Sequence, residues 1–146
     1  MSTSFQLQNN ALKELPHNIE AEQGILGAIL LNNEIFFDIS ETINVEHFYE
    51  PVHKLIFDVI GKMISKGQIA TPITLKSFFE VEKNLEEIGG SNYLVRLANS
   101  AVSLDYAKNY AHIIYNLAVR RGLYELGGKV QHDAIESEIE IDIELN

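Results

Sequence analysis

Two Gly-Lys pairs, Gly61-Lys62 and Gly128-Lys129, are the places where this chain could begin to cradle a phosphate. A P-loop sets a glycine five residues ahead of that pair and a Ser or Thr after it, so that backbone N–H groups wrap the oxygens. Ile56 and Met63 hold those places around the first pair, and Leu123 and Val130 around the second, so both fail twice. Gly89-Gly90 is not part of a GxGxxG run. The histidines at 17, 47, 53, 112 and 132 make no HExxH. His47 and His53 flank Pro51 and, with Glu46 or Glu50, come nearest to a metal set, but the sequence offers no third ligand or supporting shell. Surface or helix-capping roles suit these histidines better. Glu20, Glu22 and the pair Glu86-Glu87 could be acid/base carboxylates, yet their places at helix ends and on polar faces read as solvated charge. No serine has a nucleophile-elbow setting. No catalytic, metal or cofactor-binding set is expected, and the chain itself is read as no enzyme.

Composition bounds the rest. The chain has 146 residues, 46% of them apolar, enough for one folded core. It has no cysteine, which fits a cytoplasmic protein, and no apolar run of membrane-spanning length. The polar first seventeen residues are no signal peptide. A net charge of -10, with basic residues scattered singly apart from Arg120-Arg121, should repel phosphate backbones.

The element pattern is all-α: a compact bundle of about six helices followed by a long projecting helix, divided as a disordered leader at 1–15, a globular part at 16–102, the long helix at 103–133 and an acidic tail or linker at 134–146. Asn18 is placed to cap a helix IEAEQGILGAILLN that is apolar nearly all round. Gly24 and Gly27 inside it cost about 1 kcal/mol each against alanine, so a neighbour should pack close there. A short helix at 34–42 follows. Pro51 opens a four-turn helix that Gly67 ends, Thr74 is taken as the next N-cap, and Ser91 as the one after the Gly89-Gly90 break. The closing IESEIEIDIELN alternates isoleucine with acid and reads as a frayed end, or else an edge strand or linker.

The helix from Ser103 would span roughly 40 Å, so its second half should need outside cover. Its apolar face is expected to run through Tyr106, Tyr110, Ile113, Ile114, Leu117 and Tyr124. With Arg120 and Arg121 these residues are the candidate partner interface, tyrosine being common at interfaces for its wide ring and polar tip.

Longer words then stand out: LPHNIEAEQGILGAILLNNE, HFYEPVHKLIFDVIGKMISKGQ, ITL, LEEIGGSNYLVRLANSAVS and YAHIIYNLAVRR, in that order. Together they closely resemble the amino-terminal domain of the bacterial replicative DNA helicase of the DnaB family, over about residues 15–130. Thr71-Pro72, where an acidic-apolar pair would be expected, and Tyr106, where asparagine is frequent, depart from the pattern. The resemblance implies a ring hexamer that unwinds DNA at the replication fork, with ATP and Mg used by a carboxy-terminal motor absent from this chain. It also implies a collar of helical hairpins paired between subunits, the helix from Ser103 being a first arm. Self-association, primase docking within a primosome and effects on a helicase loader follow from that, with DNA met only through the whole ring. Two other readings remain at this point: a helix-turn-helix DNA binder around residues 71–98, and a small metal-dependent hydrolase on His47, His53 and Glu50.

Overall fold

The computed structural model describes residues 14–136, so the leader and the acidic tail lie outside the described residues except at 14–15 and 134–136. Every regular element among the described residues is helical: α1 (Ile19–Leu31), α2 (Ile35–Ser40), α3 (Pro51–Ser65), α4 (Pro72–Val81), α5 (Ser91–Asn99) and α6 (Leu104–Ile135), with 3-10 turns at Val45–His47 and Leu85–Ile88. Two compact units divide the chain. His17–Ala118 holds α1 to α5 and the start of α6, while Met1–Pro16 and Val119–Asn146 hold the remainder of α6.

The larger unit is built around α1. Its N-cap is Asn18, whose side chain accepts from the Ala21 N–H at 2.9 Å. Beyond that first turn almost every residue is buried, and Ile25, Leu26 and Ile29 have no exposed surface. α5 and α3 pack against it, α4 packs against α5, and Phe48, Ile56, Ile60, Leu75, Phe79, Leu94 and Leu97 complete the core.

Gly27 sets the closest approach. A Cβ there would stand 2.0 Å from the Leu97 carbonyl oxygen and 2.8 Å from the Ala101 N, so backbone passes where a side chain would be. Gly24 is less severe, since its Cβ would meet the Tyr110 ring and a Val102 methyl at 3.2 Å. The propensity lost at these glycines is offset by bringing the end of α5 directly onto the α1 backbone.

Local signals place most boundaries. Pro51 is the first residue of α3, and Gly67, at φ 73°, follows its end. Asn33 reaches from the end of α1 to the loop ahead of α4, donating to the Ala70 carbonyl and accepting from its N–H, both at 2.8 Å. Two expected caps shift. Thr71, not Thr74, caps α4: its hydroxyl accepts from the Thr74 N–H while the Thr74 hydroxyl accepts from the Thr71 N–H, and Pro72 takes the first helical position. The departure at Thr71-Pro72 is thus a capping device. At α5 the cap position is Gly90, at φ 78°, and Ser91 already lies inside the helix.

The face of α6 that the larger unit covers also differs from the expected one. Ala107, Ala111 and Ile114 are buried, at i, i+4 and i+7, whereas Tyr106 and Ile113 are exposed. Alanine lets the helix axis approach the bundle closely, which a tyrosine at the same position would prevent.

Gly27→Ala should lose about 2 kcal/mol or more, because overpacking against backbone outweighs the roughly 1 kcal/mol of helix propensity gained. Gly24→Ala meets only side-chain tips and should cost less than half as much. Urea denaturation of the two variants beside the parent checks the order.

Candidate functional site

Beneath the start of α1 lies a polar cluster that the sequence did not announce. Glu22, expected to be solvated, is 1% exposed, and His53, expected at the surface or at a helix cap, is fully buried. The Glu22 carboxylate accepts from the Tyr49 N–H at 2.8 Å, the Glu50 N–H at 3.3 Å and His53 Nδ1 at 2.7 Å. A carboxylate can only accept, so Nδ1 carries a proton, and Nε2 on the other side of the ring meets the Tyr93 hydroxyl, 2.5 Å away. Tyr93 Oη in turn accepts from the Gln23 amide at 3.3 Å. One chain of hydrogen bonds therefore joins α1, the loop entering α3, α3 itself and α5.

The surroundings hold these groups in place. The Tyr93 and His53 rings lie parallel at 6.0 Å, and the Arg96 guanidinium sits over the Tyr93 ring. Burial pushes the Tyr93 phenol above its ordinary value, against opposing contributions from the Gln23 hydrogen bond and the Arg96 charge. His17 stacks on Tyr49 with centroids 4.1 Å apart, close to where the Tyr49 N–H meets Glu22. Both ring nitrogens of His53 are occupied, which removes it as a metal ligand, and the described residues contain no cluster of three or more His, Cys, Asp or Glu suited to a metal. His47 does cap: its Nδ1 accepts from the Asn44 N–H at 2.9 Å.

The expected partner-facing residues separate. Ile114 is buried in the core and is corrected to a structural residue, since the side of α6 it shares with Ala107 and Ala111 is already covered. Tyr110 is half-buried against the core near Gly24, and Leu117 is half-buried. Tyr106, Ile113, Arg120 and Tyr124 are exposed. Arg121 donates to the Pro16 carbonyl at 2.8 Å.

Within the smaller unit, sequence reasoning missed a second stripe. Val119, Leu123, Leu126 and Val130 follow i, i+4, i+7, i+11, and the last three are each more than half exposed. At about 100° per residue they lie well round the helix from Tyr124. Apolar residues on two sides blur the single-sided rhythm, so the tyrosines masked the aliphatic stripe. Gly122, Gly127 and Gly128 belong to the same stretch, and a Cβ at any of them would meet nothing within 4 Å. No described helix is long and apolar enough to cross a membrane.

Comparison with known proteins agrees with this architecture. The model of the DnaB-like helicase N terminal domain matches residues 14–116. A replicative DNA helicase DnaB of Rickettsia felis is 44% identical over 128 residues, covering 88% of this chain and 26% of its own length, so the chain spans about a quarter of such relatives. The crystal structure of the N-terminal domain of DnaB helicase from Mycobacterium tuberculosis superposes with a TM-score of 0.80 at 29% identity, over 88% of this chain and 90% of that one. A DnaB-like replicative helicase described with its interactions with primase gives a TM-score of 0.68 at 27% identity, over 88% of this chain and 33% of that one.

His53→Ala should cost about 3–5 kcal/mol by leaving the buried Glu22 carboxylate short of a donor. Tyr93→Phe should cost about 1 kcal/mol. An unfolded phenol ionises near pH 10 while the buried Tyr93 phenol stays neutral to higher pH, so its contribution is intact below pH 10 and fades above it. Urea melts of parent and Tyr93→Phe between pH 7 and 11 should therefore converge at the alkaline end.

Proposed function

This chain belongs to the DnaB-like helicase N terminal domain family, and from that premise we propose that it acts as the non-catalytic collar of a replicative DNA helicase. In this reading it assembles subunits and docks the primase, while ATP-driven unwinding, with its Mg, belongs to a motor outside the matched region. A helicase loader is a further partner of the assembled ring, DNA is met only through that ring, and the protein works in the cytoplasm.

The observation that carries the assembly role is the exposed aliphatic stripe of Val119, Leu123, Leu126 and Val130 on the second half of α6. Water is a poor permanent neighbour for a row of this kind, at about 25 cal/mol for each Å² of apolar surface left uncovered. Two of the three interior glycines, Gly122 and Gly127, point the same way. Each costs about 1 kcal/mol in a helix interior, and no described group uses the space they leave. At about 100° per residue Gly122 and Gly127 lie roughly 70° to either side of the row and Gly128 lies opposite it, so a second helix laid on the row would use the space at the first two, and a second copy of α6 supplies both the apolar row and these small residues. Tyr106, Ile113, Arg120 and Tyr124 then widen the contact or meet the primase. Docking of primase is supported by the described interactions of the similar DnaB-like helicase. The absence of a P-loop around either Gly-Lys pair supports a non-catalytic role.

The DNA-binding alternative gains nothing here, because α4, α5 and the turn between them carry Glu80, Glu82, Glu86 and Glu87 against Lys76, Lys83 and Arg96.

Light scattering at rising concentration should show a dimer or larger species for the parent. The double variant Leu123→Glu, Leu126→Glu should be monomeric with an unchanged core melt. A strictly monomeric parent at high concentration would remove the assembly role. Loss of primase capture in a pull-down with the double variant would place docking on the same stripe, and an ATPase assay should show no turnover above background.

A further inference from the structure

A cavity of about 560 Å³ opens beside the polar cluster, between the start of α3, the 3-10 turn Leu85–Ile88 and α5. Ile19, Val52, Ile88 and Tyr93 are its apolar and aromatic lining residues, and Glu50, Glu86 and Glu87 also line it. No Lys or Arg lines it. None of those three carboxylates takes part in a side-chain ion pair found among the described residues. The other cavities differ: the one beside Phe36 and Phe57 is smaller, at about 300 Å³, and contains both Asp58 and Lys62, which already pair at 2.8 Å.

We propose that this cavity docks a short cationic, amphipathic segment of a partner polypeptide, an apolar side chain entering between Ile19, Val52, Ile88 and Tyr93 while flanking Lys or Arg residues meet Glu50, Glu86 and Glu87. The depression is open to solvent on one side and suits one or two side chains laid into it. The charge selects the sign of the partner. Three carboxylates without a described ion-pair partner, set against the single nearby charge of Arg96 over the Tyr93 ring, on a chain of net charge -10, attract cations over roughly a Debye length, about 10 Å at 0.1 M salt, and repel acidic peptides and nucleic acid. The hydrogen-bonded chain through Glu22, His53 and Tyr93 keeps the wall fixed, so little ordering is required on this side when the segment binds. All of these groups lie in the larger unit, whereas the aliphatic stripe of α6 belongs to the smaller one. The inference does not rest on the assembly role, and either can fail without the other.

The test titrates the whole chain with the probe acetyl-Lys-Leu-Lys-Leu-Lys-amide, followed by amide chemical shifts. Shifts should concentrate at Val52, Ile88, Gly89 and Tyr93, and affinity should fall at least tenfold between 50 and 500 mM salt. The triple variant Glu50→Gln, Glu86→Gln, Glu87→Gln should bind at least tenfold more weakly with an unchanged melting temperature. A pentalysine probe, lacking the leucines, should bind more weakly than the mixed one. Shifts spread over the acidic surface and retained in the triple variant would mean general polycation attraction only and would overturn the proposal. So would equal binding of acetyl-Glu-Leu-Glu-Leu-Glu-amide, or no shift at all.

Discussion

A carboxylate removed from water needs donors around it, and those that meet Glu22 come from a distant part of the chain. Two are the backbone N–H groups of Tyr49 and Glu50, and the third is His53, itself held by Tyr93 from α5. The arrangement makes the start of α1, the entry to α3 and the first turn of α5 mutually dependent. An unanswered charge at this depth would cost several kcal/mol, comparable with the net stability of a small domain. The cluster draws its groups from the words that carry the family resemblance. IEAEQ, FYEPVH and GGSNYL contain Glu22, Gln23, Tyr49, Glu50, His53 and Tyr93, and these are the groups that meet. Their role in the fold is structural, with the cavity wall as its outer surface.

The second constraint is steric. Gly27 lets the end of α5 lie on the α1 backbone, and the chain that leaves α5 leads directly into α6. Ala107, Ala111 and Ile114 then fasten the first half of α6 within the larger unit. The two alanines do for α6 what glycine does for α1: they shorten the distance between axes so that dispersion contacts are made along its first half. The second half of α6 has glycines and aliphatic residues but no described neighbour that uses them. A helix with three interior glycines and an uncovered apolar row is weakly determined by its own chain, which is why a neighbouring helix is the natural complement.

Two surfaces of different chemistry thus come from one short chain. The α6 stripe is aliphatic and suits a helix laid along it. The cavity beside Tyr93 is small, apolar within and acidic at its margin, and it suits a side chain with a positive neighbour. The hydrogen-bonded chain from Glu22 through His53 to Tyr93 is satisfied internally from end to end.

Much of what depends on residues a few positions apart was legible in the sequence, although the caps of α4 and α5 fell at Thr71 and Gly90 instead of Thr74 and Ser91. Asn18 capping α1, Pro51 opening α3, Gly67 after its end, the near-total burial of α1 and a close neighbour at Gly24 and Gly27 all follow from local chemistry and periodicity. The all-helical class followed from the same rhythm, and family membership from words long enough to keep their order. Tertiary structure alone decided where charge could be buried and which side of α6 was taken. Glu22 looks like any acidic residue in a first turn until Tyr49, Glu50 and His53 are brought to it from some thirty residues away. Ile114 looks like a partner-facing residue until the bundle covers it. A side chain's periodicity states that it shares a face with others, but burial depends on what the rest of the chain lays against that face, and hydrogen bonds across such separations leave no mark in local spacing.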